Sequence, residues 1–105
     1  MRHTLRLFPA ADQDIDEAAA YIARSNMDAA MRFLGSVDDT LRLIREHPMR
    51  QPIYDTAPAV KDVRKRAVIG FSNYLIFYRV NRRAVEVIRL LHGARDIGIR
   101  LREKS

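Results

Sequence analysis

The sequence predicts an α+β fold, in the order β-α-α-β-β-β, with an antiparallel helical hairpin packed on a twisted antiparallel sheet of three C-terminal strands. Three observations predict it. Apolar residues recur at helical spacing between Ala10 and Glu46, the period changes to two beyond Val63, and a proline-bearing block separates the two regimes. Helices with one apolar stripe must bury it, and the sheet offers the apolar face they need.

The first strand is read from His3 to Phe8, where Leu5 and Leu7 alternate with polar neighbours and are expected to point inward. Pro9 then stands where a helix tolerates proline, because the missing N–H has no intrahelical partner in the first turn. From Ala10 to about Arg24 the apolar positions Ala11, Ile15, Ala18 and Ile22 form one stripe. Asp12, Asp14, Asp16 and Glu17 crowd the start of this helix, where the macrodipole favours negative charge, and are expected to be surface carboxylates.

Asn26 is a natural N-cap for a second helix from Met27 to Glu46. Ala30, Leu34, Val37, Leu41 and Ile44 make its stripe, and Phe33 widens it. So short a link between the helices requires an antiparallel hairpin. Pro48 closes the second helix, and His47 to Pro58 is expected to be a loop.

Val63 to Ile69 alternates as a strand, and Gly70-Phe71-Ser72-Asn73 reads as a turn. Tyr74 to Val80 is almost continuously apolar, β-branched and aromatic, which predicts a central strand covered on both faces. Asn81-Arg82-Arg83 supplies a hairpin turn, and Ala84 to His92 is the last strand. Gly93 ends it. Ala94 to Lys104 is expected to be a short basic helix or tail, and the first strand is expected to join the sheet.

The 105 residues suit one domain, 1–105, able to bury roughly 65% of the surface its unfolded chain exposes. No apolar run approaches the ~18 residues of a membrane span, and no signal-peptide core follows Met1. The chain has no cysteine, which excludes disulfides and thiolate chemistry and points to a cytoplasmic protein. The formal charge of +6 is lopsided: residues 1–50 carry a net −1 and residues 51–105 a net +7. Sixteen of the 19 basic residues are arginine, whose planar fork suits carboxylate and phosphate, so an anionic partner is expected.

His3, His47 and His92 are far apart and show no ligand spacing, and the four glycines are scattered, so neither a metal nor a cofactor is expected. The remaining candidates are basic. Arg64 and Arg66 share one strand face, Arg79 interrupts an apolar strand, Arg89 lies in its neighbour, and His92 ends that strand. Arginines with a histidine on a sheet can cradle RNA phosphate, with the histidine moving a proton. The alternative is a solvated face, with His92 capping a strand edge. A charge in a strand as apolar as that of Arg79 requires a partner.

Four segments carry a resemblance: Ala19–Ala23, Ala29–Leu34, Asn73–Val80 and Val87–Asp96. With the order of elements, they resemble the RelE/ParE superfamily of bacterial toxins, and more specifically its ParE branch, over residues 5–97. The resemblance implies a toxin of a type II toxin–antitoxin module that inhibits DNA gyrase by binding. It also implies a hetero-oligomer with a ParD-like antitoxin whose acidic tail wraps the basic toxin, with operator DNA reached only through the antitoxin. Partner contacts are expected at Arg64, Arg66, Arg79, Arg89 and Arg95. The RelE branch would instead imply a ribosome-dependent mRNA endonuclease using Arg64, Arg89 and His92. No tyrosine follows Tyr78 to complete such a site, so no catalytic residue is expected.

Overall fold

The computed structural model describes residues 3–54, 62–94 and 96. The elements follow the predicted order: β1 Thr4–Leu7, α1 Pro9–Ala23, α2 Met27–Glu46, β2 Arg64–Val68, β3 Phe71–Val80 and β4 Ala84–His92. Pro9 opens α1, and the N-cap Phe8 gives no side-chain cap. Its side chain packs instead against the cluster of Val63, Phe77, Ile88 and Leu91. At α2 the Asn26 side chain accepts the Ala29 N–H at 2.9 Å, satisfying one of the donors that every helix start leaves open.

The two stripes meet the sheet as their spacing demands. Ala11, Ile15 and Ala18 of α1 and Phe33, Val37, Leu41 and Ile44 of α2 join Val68, Tyr74, Ile76, Tyr78, Val85, Val87 and Leu90 in the main core. Phe33 is fully buried and meets Phe71 and Tyr74 edge-on, with ring centroids 5.2 and 5.1 Å away. Such edge-to-face pairs add about 0.5–1.5 kcal/mol beyond their burial. A smaller cluster of Val63, Phe77, Ile88 and Leu91 lies on the opposite sheet face, so β3 is covered on both sides.

The sheet order is β1-β4-β3-β2. β2, β3 and β4 form the predicted antiparallel meander, while β1 pairs with β4 in parallel and makes the sheet mixed. Edge strands β1 and β2 therefore run the same way. The helical hairpin supplies the long crossover that a parallel arrangement needs.

Three local readings are corrected. Phe71, Ser72 and Asn73 belong to β3 and not to a turn, because Ile69-Gly70 already reverses the chain, Gly70 taking a φ of 76° that favours glycine. Phe71 is then free to reach Phe33. Leu7 is 36% exposed, since it ends the short edge strand, while Leu5 packs on the core. Asp14 is buried at 5% exposure, while Asp12, Asp16 and Glu17 stay at the surface as expected. It lies three residues after Ala11 and four before Ala18, which places it on the inner stripe. The segment from residue 97 onward lies outside the described residues, as does most of the loop after Tyr54.

Candidate functional site

The expected basic residues do not form one cluster. Arg89 is 5% exposed in β4 and has turned toward α1. Its Nε donates to Asp14 Oδ2 at 2.6 Å and its Nη2 to Asp14 Oδ1 at 2.8 Å. Oδ2 also accepts the Leu90 N–H at 3.1 Å. This backbone donor is available because the β1–β4 pairing stops at Leu7↔Val87 and the register then skips Ile88. Asp14 thus replaces the missing strand and neutralises Arg89 together. The Arg89 fork, expected to meet a partner, is engaged inside the protein by Asp14.

Arg79 has the partner its setting required. Glu86, opposite it on β4, accepts an ion pair from Arg79 Nη2 at 3.6 Å and another from Arg6 Nη1 at 3.5 Å. Both arginines remain partly in water, so the pairs contribute at most about 1 kcal/mol each.

Arg64 and Arg66 sit on edge strand β2, and Arg64 Nη1 donates to the Gln51 carbonyl. Both lie near the Tyr78 phenol. Burial pushes that phenol above its ordinary 10.0, and the charges of Arg64 and Arg66 pull it partly back. Beside them a groove of about 490 Å³ opens between β2 and the segment before it, walled by Ile53, Tyr54, Ala67 and Leu75 with Lys65 and Arg66 on its rim. Lys65 Nζ lies 4.0 Å from the centre of the Tyr54 ring. Sequence reasoning passed over Lys65 and Tyr54. The alternation showed that Lys65 faces away from Arg64 and Arg66, but nothing local announces that Tyr54 folds back beneath it.

His92 stands apart from Arg64 and Arg66, while Asp14, which holds Arg89, lines the same cavity as His92. Its ring meets Tyr74 edge-on at 5.3 Å and its Nδ1 is buried without a hydrogen-bond partner. A cavity of about 300 Å³ adjoins it, walled by Glu17, Tyr21, Tyr74 and Asp96. Arg64 aligns through Tyr78 with Val87, five residues along β4 from His92. At ~3.3 Å per residue that separates the two by roughly 16 Å along the strands, and β3 lies between them. Arg64, Arg89 and His92 do not converge on a common point. Arg95 lies outside the described residues. Among the described residues no group of His and acidic side chains could hold a metal ion, and no helix is long and apolar enough to cross a membrane.

Solved structures share this architecture. The chain is similar to a protein of the chromosomal ParDE toxin–antitoxin system from P. aeruginosa, with a TM-score of 0.67 and 14% identity over 86% of this chain and 95% of that one. It is also similar to a chain of the E. coli DinJ-YafQ toxin–antitoxin complex, with a TM-score of 0.59 and 13% identity over 93% of this chain and 100% of that one. No curated protein matches it. The fold is thus one found in type II toxin–antitoxin modules. Residues 5–97 match the family described as ParE toxin of type II toxin-antitoxin system, parDE, and the chain belongs to that family.

Proposed function

We propose that this toxin acts by binding, that its target is DNA gyrase, and that the acidic tail of a ParD-like antitoxin holds it inactive in a cytoplasmic hetero-oligomer. The observation that carries this reading is the groove on β2, where an apolar wall of Ile53, Tyr54, Ala67 and Leu75 is rimmed by Lys65 and Arg66. Such a surface matches a segment alternating apolar and acidic side chains, which gains area from the wall and orientation from the cations. Arg66 is its contact residue, while Arg64 and Arg79 lie outside the groove. No bond is made or broken by the chain, and the spread of Arg64, Arg89 and His92 supports a binder over a nuclease.

The test is a supercoiling assay with purified toxin, gyrase and antitoxin, alongside the integrity of cellular mRNA during growth arrest. Loss of supercoiling relieved by antitoxin, with intact mRNA, is expected. Untouched gyrase, or mRNA cut in a His92-dependent way, overturns the proposal.

A further inference from the structure

The end of the sheet where β3 turns into β4 has a composition unlike the rest of the surface. Arg6, Glu86 and Arg79 form one row across β1, β4 and β3. Arg82 and Arg83 project from the turn above them. Glu86 serves both Arg6 and Arg79, so this row keeps a surplus positive charge. The side chains of Arg82 and Arg83 form no ion pair among the described residues. Asn81, Arg82 and Arg83 alone line an open depression of about 420 Å³.

The turn is built rather than loose. Asn81 Oδ1 accepts the N–H groups of Arg83 at 3.1 Å and Ala84 at 2.8 Å, and the Asn81 N–H returns to the Ala84 carbonyl at 2.9 Å. The Arg83 carbonyl accepts the Thr4 N–H at 2.7 Å, which ties β1 to the turn. The two arginines therefore stand on a backbone fixed from both sides, and only their own rotamers remain to be ordered on binding.

The surroundings select the kind of anion. A protein interface needs an apolar centre, and among the described residues the exposed large apolar side chains Tyr21, Met27, Met31, Met49, Ile53 and Ile69 all lie elsewhere. Leu7, nearest along β1, pairs with Val87, three residues beyond Ala84. Single-stranded nucleic acid needs aromatic platforms for its bases, and among the described residues no aromatic side chain lines this depression. Duplex phosphate needs only cationic forks on a rigid support. We propose that the β3–β4 turn, with Arg82 and Arg83 beside the Arg6–Glu86–Arg79 row, binds the phosphate backbone of duplex DNA without reading its sequence. The toxin then touches DNA directly and not only through an antitoxin. This does not depend on the gyrase reading.

The test measures anisotropy of a labelled random-sequence duplex, and of one of its strands, titrated with the full chain between about 50 and 200 mM salt. Duplex is expected to bind more tightly than single strand. Arg82→Ala/Arg83→Ala is expected to weaken duplex binding roughly tenfold and to make log K against log salt shallower by about 2. Arg82→Lys/Arg83→Lys keeps the slope. So does Arg32→Ala/Arg42→Ala, which removes the same charge from exposed positions on α2. Repeating the titration with the antitoxin complex separates two arrangements. A loss confined to the free chain shows that the antitoxin covers the turn, and a loss in both shows that the turn stays open to DNA in the complex. The proposal is overturned if wild type ignores duplex at low salt, if it prefers the single strand, or if the α2 control loses as much as the turn variant.

Discussion

Asp14 and Arg89, 75 residues apart, form a buried bidentate pair at 2.6 and 2.8 Å that joins the start of α1 to the middle of β4. With the Leu90 N–H also on Asp14, one carboxylate closes the sheet edge that β1 leaves open. Removing one member strands the other charge in the interior, which typically costs about 3–5 kcal/mol.

Asp14→Ala and Arg89→Ala should therefore each lower stability by ~3 kcal/mol or more, read as a drop in urea midpoint with little change in slope. An apolar double replacement such as Asp14→Leu/Arg89→Met should cost less than either single change, because no uncompensated charge remains. A double variant as damaged as the sum of the two singles would show that the pair's coupling is absent.

Thr40 makes a second join. Fully buried in α2, its hydroxyl donates to the Ser36 carbonyl at 2.7 Å and accepts the Ile69 N–H at 3.0 Å from the β2–β3 turn. Thr40→Val keeps the shape and leaves the Ile69 donor unmet, so a loss of about 1–3 kcal/mol is expected in chemical denaturation. Thr40→Ser keeps the acceptor and should fall between the two. Equal losses for Val and Ser would place the cost in packing, not in the hydrogen bond.

These two joins mark where sequence reading stops. The bounds of α2 and β4 are legible because periodicity, Asn26 and Gly93 all agree locally, and Ala30, Val37 and Ile44 are buried as their stripe requires. Strand direction is not local information, so the parallel seat of β1 is invisible until the crossover is built. Asp14 and Thr40 occupy stripe positions at helical spacing, yet polar residues there read as surface until a partner is found elsewhere in the chain. The same blindness affected the basic set. Arg79 advertised its need for an acid through its apolar strand, whereas Arg89 looked free because its acid lies in another element. Lys65 and Tyr54 meet only once the loop folds back.

Tyr78 supplies a prediction in pH. Burial, opposed by Arg64 and Arg66, leaves its folded pKa above the ordinary 10.0. Above pH 10 the unfolded phenol loses its proton while the folded one keeps it, so the folded state binds more protons and stability falls as pH rises. That contribution is fully present below pH 10 and is lost on passing through the folded pKa. Tyr78→Phe should flatten the alkaline decline in urea midpoint. Arg66→Ala should delay ultraviolet phenolate formation to higher pH. Phenolate appearing earlier in Arg66→Ala would reverse the assigned sign.

Arg66 tests the partner surface without touching the fold. It is half-buried on edge strand β2, forms no ion pair among the described residues and stands on the rim of the groove. Reversing a rim charge acts mainly on the association rate and its salt dependence. Arg66→Glu should weaken binding of an acidic antitoxin tail by roughly tenfold, ~1.4 kcal/mol, with most of the loss gone in high salt. Arg32→Glu on α2 changes the net charge equally and should leave the affinity near wild type, since exposed charges beyond a Debye length of ~8 Å are screened. Calorimetric titrations of both variants decide the matter. If Arg32→Glu loses as much as Arg66→Glu, the tail responds to total charge alone, and the groove on β2 is not its seat.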